Sequence, residues 1–130
     1  MIAVDSSALV AIVLGEPEAE RLLDSLQQSA AALSAANLLE AAIVVEARQG
    51  PDAARDLELL VDGTIDEIAS VDLTDVEAAL GAWRRFGKGR HPAGLNYGDC
   101  FAYALARTRT IPLLFIGDDF AKTDVEEASF

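Results

Sequence analysis

Asp5 follows three apolar residues, Ile2-Ala3-Val4, and runs into Ser6-Ser7 and a second apolar stretch, ALVAIVL. Asp118 and Asp119 repeat the arrangement near the other end, after Leu113-Leu114-Phe115-Ile116 and a glycine. A short buried strand ending in a carboxylate accounts for both. In open α/β sheets, ligands bind beyond the carboxyl ends of the strands, where the side chain past the last buried residue reaches solvent. Asp5 is equally suited to cap the helix that follows it. Two more acids stand at helix starts: Glu40, one turn after Asn37 on an apolar stretch, and Asp99 in Asn96-Tyr97-Gly98-Asp99, where a carboxylate faces the helix dipole. Carboxylates that converge without a cation repel one another. Hard oxygen ligands of this kind suit Mg2+ or Mn2+, ions that activate water and stabilise in-line attack on a phosphate.

The elements that must position these acids alternate between helix and strand. A helix from Ser7 to Leu14 ends at Gly15, and Glu16-Pro17 opens an amphipathic one that ends near Gln28. Ala31–Ala35 is a weak strand. A helix over Ala36–Arg48 carries Leu39, Ile43 and Val44 at helical spacing and stops at Gly50-Pro51. Asp52–Val61 reads as a helix and Ile65–Val71 as a strand, and Thr74 with Glu77 forms a capping box for a helix through Phe86. A glycine-rich loop over Gly87–Gly94 precedes a helix from Asn96 to Thr108. Pro112–Ile116 is a strand, and Val125 lies on a last edge strand. The economical architecture is a three-layer α/β sandwich with a mostly parallel sheet, which puts Asp5 and Asp118-Asp119 on one edge.

Length and composition fit one domain over residues 1–130: hydrophobic residues make up 52% and mean hydropathy is +0.24. No uncharged apolar segment reaches membrane-spanning length, and Cys100 is the only cysteine, so no internal disulfide forms. A cytoplasmic protein with no membrane association is expected. The net charge of −12 argues against a nucleic-acid partner, but the distribution argues for one. Four of the ten cations, Arg84, Arg85, Lys88 and Arg90, fall within seven positions, beside the only histidine, His91. A cationic helix C-terminus is the structural alternative. Cys100 reads as a packing residue, Trp83 and Phe86 as helix packing rather than a base-stacking platform, and Asn96 as a helix cap.

MIAVDSSALVAI at the start, Ser34-x-x-Asn37-x-x-Glu40, RHPAGLNYGDC around Asp99 and LLFIGDDFAKTD near the end resemble, in order and spacing, the PIN-domain ribonucleases, in particular the VapC toxins of prokaryotic toxin–antitoxin modules. The resemblance implies a PIN-like α/β/α sandwich and an endoribonuclease dependent on Mg2+ or Mn2+. It places Asp5, Glu40, Asp99 and Asp119 on the family's catalytic acids, with Asp5, Asp99 and Asp119 as metal ligands and Asp118 a neighbouring candidate for the fourth acid. Ser7 falls on the family's small hydroxyl position, able to bond a ligand or a carboxylate. Arg84, Arg85, Lys88 and Arg90 would then contact RNA phosphates, with His91 a weak general acid or base. The same resemblance implies a VapB-like antitoxin and a homodimer, with Leu9, Val13 and Leu22 as candidate contacts, each of which could equally be core. Two rival readings exist. A phosphatase or phosphoacceptor domain is opposed by the absence of Asp-x-Asp at Asp5 and of a lysine after a late strand. A catalytically silent PIN-fold binding module is opposed by the presence of all four acids.

Overall fold

The computed structural model describes residues 1–130 throughout. Its elements run β1 (Ile2–Val4), α1 (Ser6–Val13), α2 (Ala19–Gln28), β2 (Ala31–Ser34), α3 (Ala35–Gln49), α4 (Pro51–Thr64), β3 (Glu67–Ala69), α5 (Leu73–Phe86), α6 (Tyr97–Arg109) and β4 (Leu113–Leu114), then a 3-10 turn over Phe120–Lys122. The sheet order is β3-β2-β1-β4, with every pairing parallel. Strands of two to four residues suffice because β1, β2 and β4 are buried on both sides, while the edge strand β3 buries only Ala69. Ile2, Val4, Ala31, Leu33 and Leu114 face a core shared with α1 to α4, and the intervening Ala3, Ala32 and Leu113 face a second core under α5 and α6. That alternation of period two makes the three layers. Small residues at Ala3 and Ala32, met by Ala102, Ala104 and Ala106 of α6, let this helix approach the sheet closely and fix its N-terminus at the sheet edge.

Several expectations shift. The capping box of α5 joins Asp72 and Asp75 rather than Thr74 and Glu77: Asp72 accepts the Asp75 N–H at 3.1 Å while Asp75 accepts the Asp72 N–H at 3.0 Å. Aspartate is a stronger cap than threonine, so the helix starts two residues earlier. α3 buries Asn37, Ala41 and Val45, while Leu39 and Ile43 point outward, 62% and 59% exposed. Its inner face is lined with small or polar residues because it packs against α1, α4 and α6. Leu9 and Leu22 are fully buried in the core on the α1–α4 side and offer nothing to a partner, and only Val13 of that set is half-buried. The edge strand expected at Val125 is a single parallel bridge from Glu127 to Leu113. No helix is long and apolar enough to cross a membrane.

Candidate functional site

β2, β1 and β4 lie side by side and parallel, so the residues just past their carboxyl ends share one edge: Asp5 after β1, Asn37 and Glu40 early in the helix after β2, and Asp118-Asp119 after β4. The N-terminus of α6 brings Asp99 to the same edge. Gly117, at φ +104, makes the turn after β4, and Phe120 packs on Phe115 with ring centroids 5.1 Å apart. Burial of that ring anchors Asp119 beside it.

Asp5 does both things its position allows. Its Oδ2 accepts the Ser7 N–H at 3.0 Å as the N-cap of α1, while Oδ1 is buried with no partner. Asp5 is only 3% exposed. Its pKa rises from 3.8 to about 7, chiefly through burial; bonding from Ser7 pulls the other way and the charges of Asp99 and Glu40 add to the rise. Asp99 is half-buried and pushed up to about 6, again chiefly by burial, with its bond from the Asn96 N–H opposing and the charges of Glu40 and Asp119 adding. Of the adjacent pair, Asp119 is the one whose charge adds to the rise at Asp99.

Glu40 is held by two donors. Its Oε1 accepts the Ser6 hydroxyl at 2.5 Å and the Asn37 amide Nδ2 at 3.1 Å. The same Nδ2 reaches the Gly98 carbonyl at 2.9 Å, so one fully buried asparagine ties α3 to the first turn of α6. Gly98 leaves the room this carboxylate occupies, since a Cβ on it would overlap Glu40 and force that side chain to move. Asp99 and Asn96 complete a capping box, the Asn96 N–H donating to Asp99 Oδ2 at 3.0 Å and the Asp99 N–H to Asn96 Oδ1 at 2.9 Å.

Sequence reasoning missed Ser6 and Gly98 and assigned the carboxylate-bonding hydroxyl to Ser7, whose Oγ instead accepts the Ile116 N–H at 3.1 Å and joins β4 to α1. Only the one-residue register of the first turn of α1 distinguishes the two serines. The Gly-Asp pair preceding Cys100 was the available signal for Gly98.

Three observations fit a divalent cation to this edge. The donors are all oxygens, none of the four acids is in an ion pair, and the two buried side-chain oxygens without a partner, Asp5 Oδ1 and Asn37 Oδ1, both lie in the site. Hard cations take such donors, and buried unpartnered oxygens of this kind are rare. No three of the side chains already converge as a finished metal cage. Glu40 is turned to Ser6 and Asn37, and Asp99 to its own helix cap.

The cations divide differently from expectation. Arg85 is committed to Asp124 at 3.1 Å, with Tyr103 donating to the other oxygen of the same carboxylate, and it lies over the Phe86 ring. Arg84, Lys88 and Arg90 are exposed and pair with no acid. His91 Nδ1 accepts the Ala93 N–H inside the loop, with its ring edge-on to Phe86. Cys100 is buried, its thiol pushed up to about 11, in keeping with packing.

Residues 2–126 match the PIN domain family. The chain is 48% identical over 123 residues to a protein named ribonuclease VapC from Mycolicibacterium smegmatis, covering 94% of this chain and 95% of that one. It is 46% identical over 123 residues to ribonuclease VapC30 of Mycobacterium tuberculosis, covering 94% of each. Among solved structures it superposes on Mycobacterium tuberculosis VapC20, a sarcin-ricin loop cleaving toxin, with a TM-score of 0.82 over 100% of both chains at 18% identity. That likeness shows the fold.

Proposed function

The chain belongs to the PIN-domain family, among its VapC ribonucleases, and from that premise we propose that it is a toxin of a toxin–antitoxin module that cuts RNA phosphodiesters with Mg2+ or Mn2+ at the edge built from Asp5, Glu40, Asp99 and Asp119. The observation that carries the metal is the buried Asp5 carboxylate, with an unpartnered oxygen, beside the charges of Asp99 and Glu40 and with no cation paired to any of them.

Asp5, Asp99 and Asp119 would hold the ion. When bound, it supplies charge neutralisation at the scissile phosphate and lowers the pKa of water. Glu40 has one oxygen fixed by Ser6 and Asn37 and the other without a hydrogen bond, suited to accept a proton from the attacking water. Ser6 and Asn37 orient that carboxylate, and Gly98 leaves room for it. Asp119, directly before the anchored Phe120, is the preferred fourth acid, with Asp118 a second ligand candidate. Arg84 and Lys88 are free to contact phosphates along the strand, a role Arg90 takes on leaving the Arg84 carbonyl and the Trp83 ring, and Arg85 only if it leaves Asp124.

A VapB-like antitoxin and a second copy of the chain are the partners this family membership suggests. With Leu9 and Leu22 buried, the side chains open to them are Val13 and the outward Leu39 and Ile43. Light scattering of the purified chain, alone and with its antitoxin, reads both associations.

The test of the activity is cleavage of a mixed RNA by purified protein with Mg2+, Mn2+ or EDTA, alongside Asp5→Asn and Asp99→Asn. Cleavage that needs the ion and is lost in both variants supports the proposal. Equal traces from wild type and variants at every ion concentration would mark contamination and favour a silent PIN-fold binding module.

A further inference from the structure

An open groove of about 610 Å³ runs between α5 and α6, lined mainly by Val76, Leu80, Trp83, Lys88, Tyr97 and Phe101. Its apolar side chains are unusually exposed: Tyr97 at 83% and Trp83 at 40%. Tyr97 stands edge-on to Phe101, ring centroids 5.0 Å apart, and the Arg90 guanidinium lies 4.7 Å from the Trp83 ring centre. Exposed aromatic patches of this kind mark contact sites.

Three features of the surroundings narrow the occupant. Lys88 lines the groove and Arg84 and Arg90 flank it, all three without an acidic partner, although the chain carries a net charge of −12. The occupant therefore brings negative charge. Three rings, Trp83, Tyr97 and Phe101, line the groove beside the aliphatic Val76 and Leu80, and an occupant that carries flat rings matches them. Asn96 lines the groove and exchanges hydrogen bonds with Asp99, its N–H donating to Asp99 Oδ2 and its Oδ1 accepting the Asp99 N–H, which places the groove mouth against the acidic edge. A single-stranded nucleic acid carries both properties on every residue, and base–aromatic stacking beside a cationic track is how such strands are held.

Resting on the ribonuclease reading above, we propose that this groove is a nucleobase subsite: an unpaired RNA base next to the bond being cut stacks on Tyr97 and Trp83 while Lys88, Arg84 and Arg90 take the adjoining phosphates. The subsite would select RNA whose bases are free to splay out, and so loops or single strands over duplex.

Trp83 is the only tryptophan in the chain, so its fluorescence reports on the groove directly. The experiment titrates the full chain, in EDTA, with a short single-stranded oligoribonucleotide and with an abasic ribose-phosphate strand of equal length. Saturable change in Trp83 emission with the base-bearing strand, and little with the abasic one, is expected. Tyr97→Ala should weaken RNA binding about 10- to 100-fold, and Tyr97→Phe should keep it, since the ring is retained. Circular dichroism of both variants checks that α6 is intact. Equal response to both strands, or equal affinity for RNA in Tyr97→Ala, would overturn the proposal. So would emission that depends on protein concentration and ignores RNA, which assigns the groove to a second copy. EDTA separates this test from the nuclease reading: base-dependent binding without metal-dependent cleavage anywhere would sink the nuclease alone, and metal-dependent cleavage without base-dependent binding would sink the subsite alone.

Discussion

Replacing Asp5 by asparagine should stabilise the metal-free protein while abolishing its activity. The Asp5 carboxyl is buried and its pKa is raised from 3.8 to about 7. Below about pH 4 it is protonated folded or unfolded, and its charge costs nothing. Between about pH 4 and 7 the folded chain keeps a proton that the unfolded chain has released, so stability falls as pH rises, and above about 7 the full cost is present. At about 1.4 kcal/mol per tenfold change in proton affinity, the rise sets an upper limit of about 4 kcal/mol. Asparagine keeps an oxygen for the Ser7 N–H and is as good a cap as aspartate, but its amide leaves a buried donor unpaired, at about 1–3 kcal/mol. The net gain is therefore about 1–3 kcal/mol at pH 8, or a Tm higher by roughly 4–12 °C. Thermal melts of wild type and Asp5→Asn in EDTA from pH 4 to 8.5 read it. The gain should shrink as pH falls and reverse near pH 4, where the Asp5 charge costs nothing and only the unpaired amide of the variant remains, and Mn2+ should raise the Tm of wild type more than that of the variant. A variant that melts at or below wild type at pH 8, with the same dependence on pH, would refute the charge argument.

Gly98→Ala should drive Glu40 off Ser6 and Asn37 and lower RNA cleavage at least about 100-fold while the chain still folds; cleavage within a few-fold of wild type would show that Glu40 has no fixed place in the reaction. Asn37→Ala removes the tie between α3 and α6 and should cost about 1–3 kcal/mol in denaturant melts together with activity, whereas Asn37→Asp should not restore either, because the donor to the Gly98 carbonyl is lost. Asp119→Asn should impair cleavage much more than Asp118→Asn, a ratio read from initial rates, since Asp119 is the one whose charge adds to the rise at Asp99. Changing Arg84, Lys88 and Arg90 together to glutamine should weaken RNA binding and flatten its salt dependence by about two in slope, while Arg85→Gln should act chiefly on stability.

Much of the fold was legible because two of the short buried strands, β1 and β4, appear as apolar runs broken by a carboxylate. Ile2-Ala3-Val4-Asp5 gives the strand, its end and its functional residue in four letters. The candidate acids were legible for the same reason, since a charge at the end of such a run needs an explanation. What surrounds them was not. Whether Ser6 or Ser7 meets Glu40 depends on about 100° of helix rotation per residue, which composition does not encode. Leu39 and Ile43 look like a core stripe, yet α3 is pinned by Asn37 bonded to Gly98 and by Glu40 bonded to Ser6, and that rotation turns both outward. Leu9 and Leu22 are ordinary leucines in sequence, and only the packing of α1 and α2 over the sheet makes them core. The basic island was visible as a cluster, but its partition was not, because Asp124, the partner of Arg85, lies 39 residues away in the chain.

The central claim is that the acids at the carboxyl edge of the sheet form a divalent-cation site. Titration of the metal-free chain with Mn2+, following free Mn2+ by electron paramagnetic resonance, tests it most directly, with Asp99→Asn and the Asp5→Asn/Asp99→Asn double variant alongside. Saturable binding by wild type, weakened in the single variant and lost in the double, is the expected result. Equal binding by all three chains would contradict it and place any bound cation elsewhere.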